Sequence, residues 1–270
     1  MAYNRINKNL MLPYQYTRGS FEERQRKAAQ LCHKFYNSVM EKTKKETLTL
    51  QDIKSSIISI LPKKVRLGII PYTEDPEYGT ICAQRLNFCP YSANIESEAL
   101  ELCCEKDNKV SIMNLPYVIH EFRHFTDSLF HPKILARDQR ANHLLYVTGK
   151  DPDELYETAI YTDATDKKAL FKMKLAIKKF FAGMKPEYKI DYLQNIRYKL
   201  ITENNAYYTQ YNYAKKMNKK HIKLTPECLI QENPYFMFEE KIALLKDMIY
   251  EIIMKERAKH AQKIKNCKDV

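Results

Sequence analysis

From about Leu115 to its end the chain carries apolar residues three and four apart, the period of the α-helix. The 270 residues hold only five glycines, Gly19, Gly68, Gly79, Gly149 and Gly183, with no two close together. A loop that cradles a phosphate needs several glycines within a few residues. Walker-type and dinucleotide-type nucleotide sites are therefore excluded, and no GxSxG elbow is present. Helices are expected over Leu115–Phe130, with Asn114 as N-cap and Pro116 in the first turn, and over 167–182, 187–218 and 234–264. In the last of these, Asn233 and Pro234 supply the start signal. The acidic stretch 150–166 reads as a loop with a turn or two of helix.

Before Leu115 the pattern is more varied. Phe21, Ala28, Leu31, Phe35 and Val39 predict a helix over 20–45, with Ser20 as N-cap and Glu22 and Glu23 in its first turn. Residues 1–19 read as an irregular arm. A second helix is expected from Thr49 to Leu61, with Ile53, Ile57, Ile60 and Leu61 inward and Pro62 as its stop. Strand-like runs follow at Val65–Tyr72, Gly79–Phe88, Ala99–Cys104 and Lys109–Met113, separated by the turn residues of DPEYG and CPYSAN. The expected class is α+β, predominantly helical, with a small mixed sheet packed on the helix that begins at Leu115. Residues 1–64 form an N-terminal helical region and 65–270 the remainder, together one compact domain.

Composition narrows the function. No run approaches eighteen apolar residues, so no membrane span is expected. The N-terminus lacks the apolar core of a secretory leader. Seven cysteines without CxxC spacing fit free thiols in a reducing cytosol, with export by a specialised route left open. The net charge of +12 invites a nucleic-acid reading. Lysine outnumbers arginine 34 to 11, however, and the basic residues are scattered. Arginine is the better reader of phosphate, so specific nucleic-acid recognition is not expected.

The chemistry sits in YVIHEFRHFTD, residues 117–127. A four-residue spacing on a helix puts His120 and His124 on one face, one turn apart, where two ligands of a tetrahedral metal belong. Glu121 is rotated about 100° from His120. It is poorly placed to ligate with them and well placed to take a proton from a water beside them. An HExxH string arises by chance about once in a hundred chains of this composition. Here it falls inside a predicted helix whose other face carries Val118, Ile119, Phe122 and Phe125.

A catalytic zinc takes three protein ligands and keeps one position open. His131 is one residue too late for the HExxHxxGxxH pattern, and Asp127 stands where that pattern has glycine. Glu203 falls in the middle of a stripe made by Leu193, Ile196, Leu200, Tyr207, Tyr211 and Ala214. A carboxylate on a buried face needs a metal or a cation, so zinc competes here with an ion pair to Arg197 or Lys199. Glu154 and Glu157 are further candidates. Asp127, three residues after His124, suits an acceptor that fixes a histidine ring. Tyr207, Tyr208, His143 and His221 are candidate donors to an oxyanion.

The HEFRH segment resembles the active-site helix of the zincin metallopeptidases. Glu203-Asn204-Asn205-Ala206-Tyr207 resembles the glutamate helix of their gluzincin branch. The resemblance implies a zinc peptidase acting on protein or peptide, with Glu203 as third ligand and Ala206 as the small residue that lets two helices approach. Two other classes stay open: a related domain that binds a partner without catalysis, and a basic helical protein that binds nucleic acid or a partner with HEFRH accidental.

Overall fold

The computed structural model describes residues 19–42, 47–60, 65–71, 83–90, 97–103, 109–131, 137–224 and 237–266. The elements in order are α1 (Phe21–Lys42), β1 (Thr47–Thr49), α2 (Leu50–Ile60), β2 (Val65–Pro71), β3 (Ala83–Pro90), β4 (Ser97–Cys103) and β5 (Lys109–Ser111). A 3₁₀ turn, Ile112–Asn114, leads into α3 (Leu115–Phe130). Then come α4 (Arg137–Thr148), α5 (Pro152–Ile160), α6 (Lys167–Phe180), α7 (Pro186–Asn218) and α8 (Phe238–Asn266). The N-terminal arm, the two inter-strand turns and the Asn233–Pro234 start signal lie outside the described residues, as do 79–82 of the expected second strand. Among the described residues no helix is long and apolar enough to cross a membrane.

The expected mixed sheet is corrected by this structure, in which helices predominate. The described strands make two separate pairings, β1 with β5 and β2–β3–β4, and every pair is antiparallel. A mixed sheet needs at least one parallel pair, and a parallel pair needs a crossover of a dozen or more residues. The segments joining β2 to β3 and β3 to β4 run from 72 to 82 and from 91 to 96. Connections of that length suit antiparallel neighbours. The β-branched run at Val65 therefore gives a strand, as its composition predicts, and among the described residues it is hydrogen-bonded to its sequential neighbour β3.

The chain divides into two compact units, each discontinuous in sequence. The first comprises residues 1–135 and 205–231, the second 136–204 and 232–270. The division passes through the middle of α7, whose 33 residues make a continuous rod about 50 Å long.

In the first unit α1, α2, α3 and the last turns of α7 share one core. The start of α1 is the predicted one. The Ser20 hydroxyl accepts from the Glu23 amide at 3.2 Å and the Glu23 carboxylate accepts from the Ser20 amide at 2.8 Å, a reciprocal capping box. Phe35 of α1 lies on Phe122 of α3 with ring centroids 4.6 Å apart, and Tyr36 meets Tyr213 at the same spacing. Cys32, Ile53, Ile57, Leu115, Ile119 and Met217 are fully buried around them. Burial pushes the Cys32 thiol up to about 11, so it packs as an inert small hydrophobe.

In the second unit α4 is a helix that periodicity does not reveal, because RDQRANHLLYVT carries no clear apolar stripe. The stretch expected as a loop with a turn or two of helix contains α5, nine residues long. Asp151 caps it through the Asp153 amide and Pro152 occupies its first turn. Gly149, at φ +67°, turns the chain from α4 toward this cap in the left-handed conformation that glycine tolerates. Tyr192 of α7 is fully buried; its hydroxyl donates to the Lys150 carbonyl at 2.6 Å and shares a hydrogen bond with Thr148.

Candidate metal centre

Helix α3 is buried on nearly all sides, yet it carries five buried polar side chains within eight residues: His120, Arg123, His124, Thr126 and Asp127. A helix in a core must satisfy each of these, so each points to a specific partner. Thr126 returns its hydroxyl to the Arg123 carbonyl at 2.9 Å. Arg123 donates to Gln25 of α1 at 2.6 Å and pairs with Asp127 at 3.0 Å. The Asp127 carboxylate also accepts from Asn205 of α7 at 2.9 Å, and the same Asn205 amide donates to Gln25 at 2.8 Å. Burial raises the Asp127 carboxyl above its ordinary range, while Arg123 and Asn205 pull it back toward the charged form.

The two histidines turn toward each other. Their Nε2 atoms are 3.1 Å apart and the rings stand edge to face. Two nitrogens bound to one tetrahedral zinc at 2.0–2.1 Å lie about 3.3 Å apart. The observed spacing is close to that chord. His120 and His124 are only 8% and 7% exposed, so this is not a pair of surface histidines.

Helix α7 completes the group. Ala206 is fully buried. Tyr207 sets its ring edge-on to His120, centroids 4.5 Å apart. Glu203, one turn before Tyr207 on the same face of the same helix, brings a carboxylate to the pair. One ligand atom from each of His120, His124 and Glu203 lies within 4.8 Å of the others. Two imidazole nitrogens and a carboxylate oxygen are the donor set of a catalytic zinc site. Glu121 stands to one side, its Oε1 4.0 Å from His120 Nε2 and its side chain 35% exposed.

The other sequence candidates fall elsewhere. His131 is buried edge-on against Phe21. Glu154 and Glu157 are exposed residues of α5. Tyr208 is 65% exposed, and its neighbour Tyr207 is the tyrosine beside the histidines. Asp127 takes Arg123 and Asn205 as its ion-pair and hydrogen-bond partners, and the His124 charge also acts on it. Gln25, Arg123 and Asn205 were not anticipated. Gln25 had a readable signal: it falls four residues after Phe21 and three before Ala28, a polar residue inside the apolar stripe of α1.

The chain matches no protein-family model, no curated protein and no solved structure.

Proposed function

We propose that this chain is a zinc-dependent peptide hydrolase in which His120, His124 and Glu203 hold the metal and Glu121 is the general base. The observation that carries the reading is the pair of Nε2 atoms 3.1 Å apart, with a Glu203 carboxylate oxygen in a set of ligand atoms that lie within 4.8 Å of one another. Bound zinc would bring the pKa of a water near neutrality and polarise the scissile carbonyl. Glu121, partly open to solvent, accepts the proton of the attacking water and returns it to the leaving amine. Tyr207, held against His120, is the side chain best placed to donate to the developing oxyanion. The buried walls around the histidines keep bulk water from their ring nitrogens. A protein or peptide is the substrate class that the HExxH resemblance implies. The buried Cys32 thiol fits work in a reducing cytosol.

Metal analysis of the purified chain tests this directly. About one zinc per chain is expected, lost in His120→Ala or His124→Ala. A wild type that stays folded and metal-free in excess zinc ends the proposal. Glu121→Gln keeps the shape and removes the base, so zinc stays while turnover of a peptide substrate falls by about two orders of magnitude or more. If wild type binds zinc but cleaves no peptide under any condition in which Glu121→Gln is also silent, the domain is a metal-bearing binding module.

A further inference from the structure

We infer that Asn205, with Gln25 and the Arg123–Asp127 pair, is a positioning device that sets the roll of α7 and so delivers Glu203 to the histidines. This rests on the zinc reading above and adds residues to it that the HExxH motif does not contain.

On an ideal helix Asn205 lies about 200° around the axis from Glu203. The two residues therefore sit on opposite flanks of α7, with the fully buried Ala206 between them. On one flank stand Glu203, Tyr207 and the histidines. On the other the Asn205 amide reaches two helices at once, Gln25 of α1 at 2.8 Å and Asp127 of α3 at 2.9 Å. Arg123 closes the circuit by donating to Gln25 at 2.6 Å and pairing with Asp127 at 3.0 Å. Every one of these four residues belongs to the first unit, together with both histidines.

Ala206, with no side chain beyond Cβ, offers little of its own to resist rotation. A ligand head about 5–6 Å from the helix axis moves about 1 Å for a 10° roll. Metal–ligand distances tolerate only about 0.2 Å. Close packing limits the roll of α7 without aiming any one atom. The Asn205 amide adds aim, because its two acceptors lie on different helices and both distances are hydrogen-bonding ones. Asp127 thus acts on the site through Asn205 and α7.

A double-mutant cycle on the full chain tests the device, with zinc affinity read by competition against a chromogenic chelator. Asn205→Ala should weaken zinc binding about tenfold or more in the wild-type background and less than twofold in Glu203→Gln. Its cobalt(II)-loaded form should lose visible absorption intensity, reporting a changed ligand set that a merely looser fold would not produce. Gln25→Ala, which leaves the Asn205–Asp127 bond in place, should show a smaller loss with the same dependence on Glu203, and carries the test if Asn205→Ala does not fold. Equal losses in both backgrounds, or no loss, overturn the positioning role while the zinc site stands. A wild type that takes up no zinc overturns both readings.

Discussion

Leu193, Ile196 and Leu200 anchor the first half of α7 in the second unit by apolar burial, each fully covered. Past Asn204 the same helix is held in the first unit by a mixture: Ala214 and Met217 are buried, but Asn205 is gripped by named polar acceptors and Tyr207 by an imidazole edge. Apolar burial is strong and indifferent to small rotations. Hydrogen bonds contribute less, about 0.5–1.5 kcal/mol net each, but fail when the geometry drifts. The helix thus leans mainly on apolar burial before Glu203, with the Tyr192 hydroxyl bonded to Lys150 and Thr148, and adds polar links to two other helices at Asn205. Glu203 sits two residues before the cross-link, within reach of its directional control.

Leu200→Ala should produce the largest effect on this comparison. It empties a fully buried position and should cost about 2–5 kcal/mol of unfolding free energy, seen as a lower urea midpoint with an unchanged slope. Zinc affinity of the folded protein should change little. A large loss of zinc affinity with stability intact would reverse the roles assigned to the two halves.

Glu203→Ala should do the opposite. Zinc binding should weaken about tenfold or more, equivalent to about 1.4 kcal/mol, while the metal-free protein unfolds at nearly the wild-type midpoint. If zinc affinity holds and the metal-free protein becomes markedly less stable, Glu203 is a structural ion-pair partner.

A pH dependence is expected in the second unit. Lys241 is fully buried and donates to the Ile160 carbonyl at 2.9 Å. Burial pulls its ammonium down from 10.5 to about 8, and the nearby Asp163 charge only partly opposes this. The folded chain therefore releases this proton near pH 8, while the unfolded chain holds it until about 10.5. Between those values the unfolded state binds more protons, so this group's contribution raises stability as pH climbs. Comparing urea midpoints of wild type and Lys241→Met from pH 7 to 10.5 isolates it: the difference should shift in favour of wild type as pH rises. A difference that stays flat would show that the ammonium keeps its ordinary affinity for the proton.

Local chemistry was legible in the sequence wherever one segment decides its own structure. The capping box at Ser20 and Glu23, the apolar face of α3 and the His120–His124 spacing depend on neighbours within one or two helical turns. Glu203 was singled out as a carboxylate inside an apolar stripe, and it lies half-buried with a carboxylate oxygen within 4.8 Å of the histidine nitrogens. The strands were read from composition, but their pairing was not. Whether β2, β3 and β4 join in parallel or antiparallel fashion depends on how the chain returns, which residue type alone does not encode. Helix α4 escaped because its sequence carries no clear amphipathic period. What only the tertiary structure decided is the circuit of Gln25, Arg123, Asp127 and Asn205. Its members lie up to 180 residues apart, and each alone reads as an ordinary polar side chain. Only when three helices bring them within hydrogen-bonding distance, around the fully buried Asp127, does each need the others.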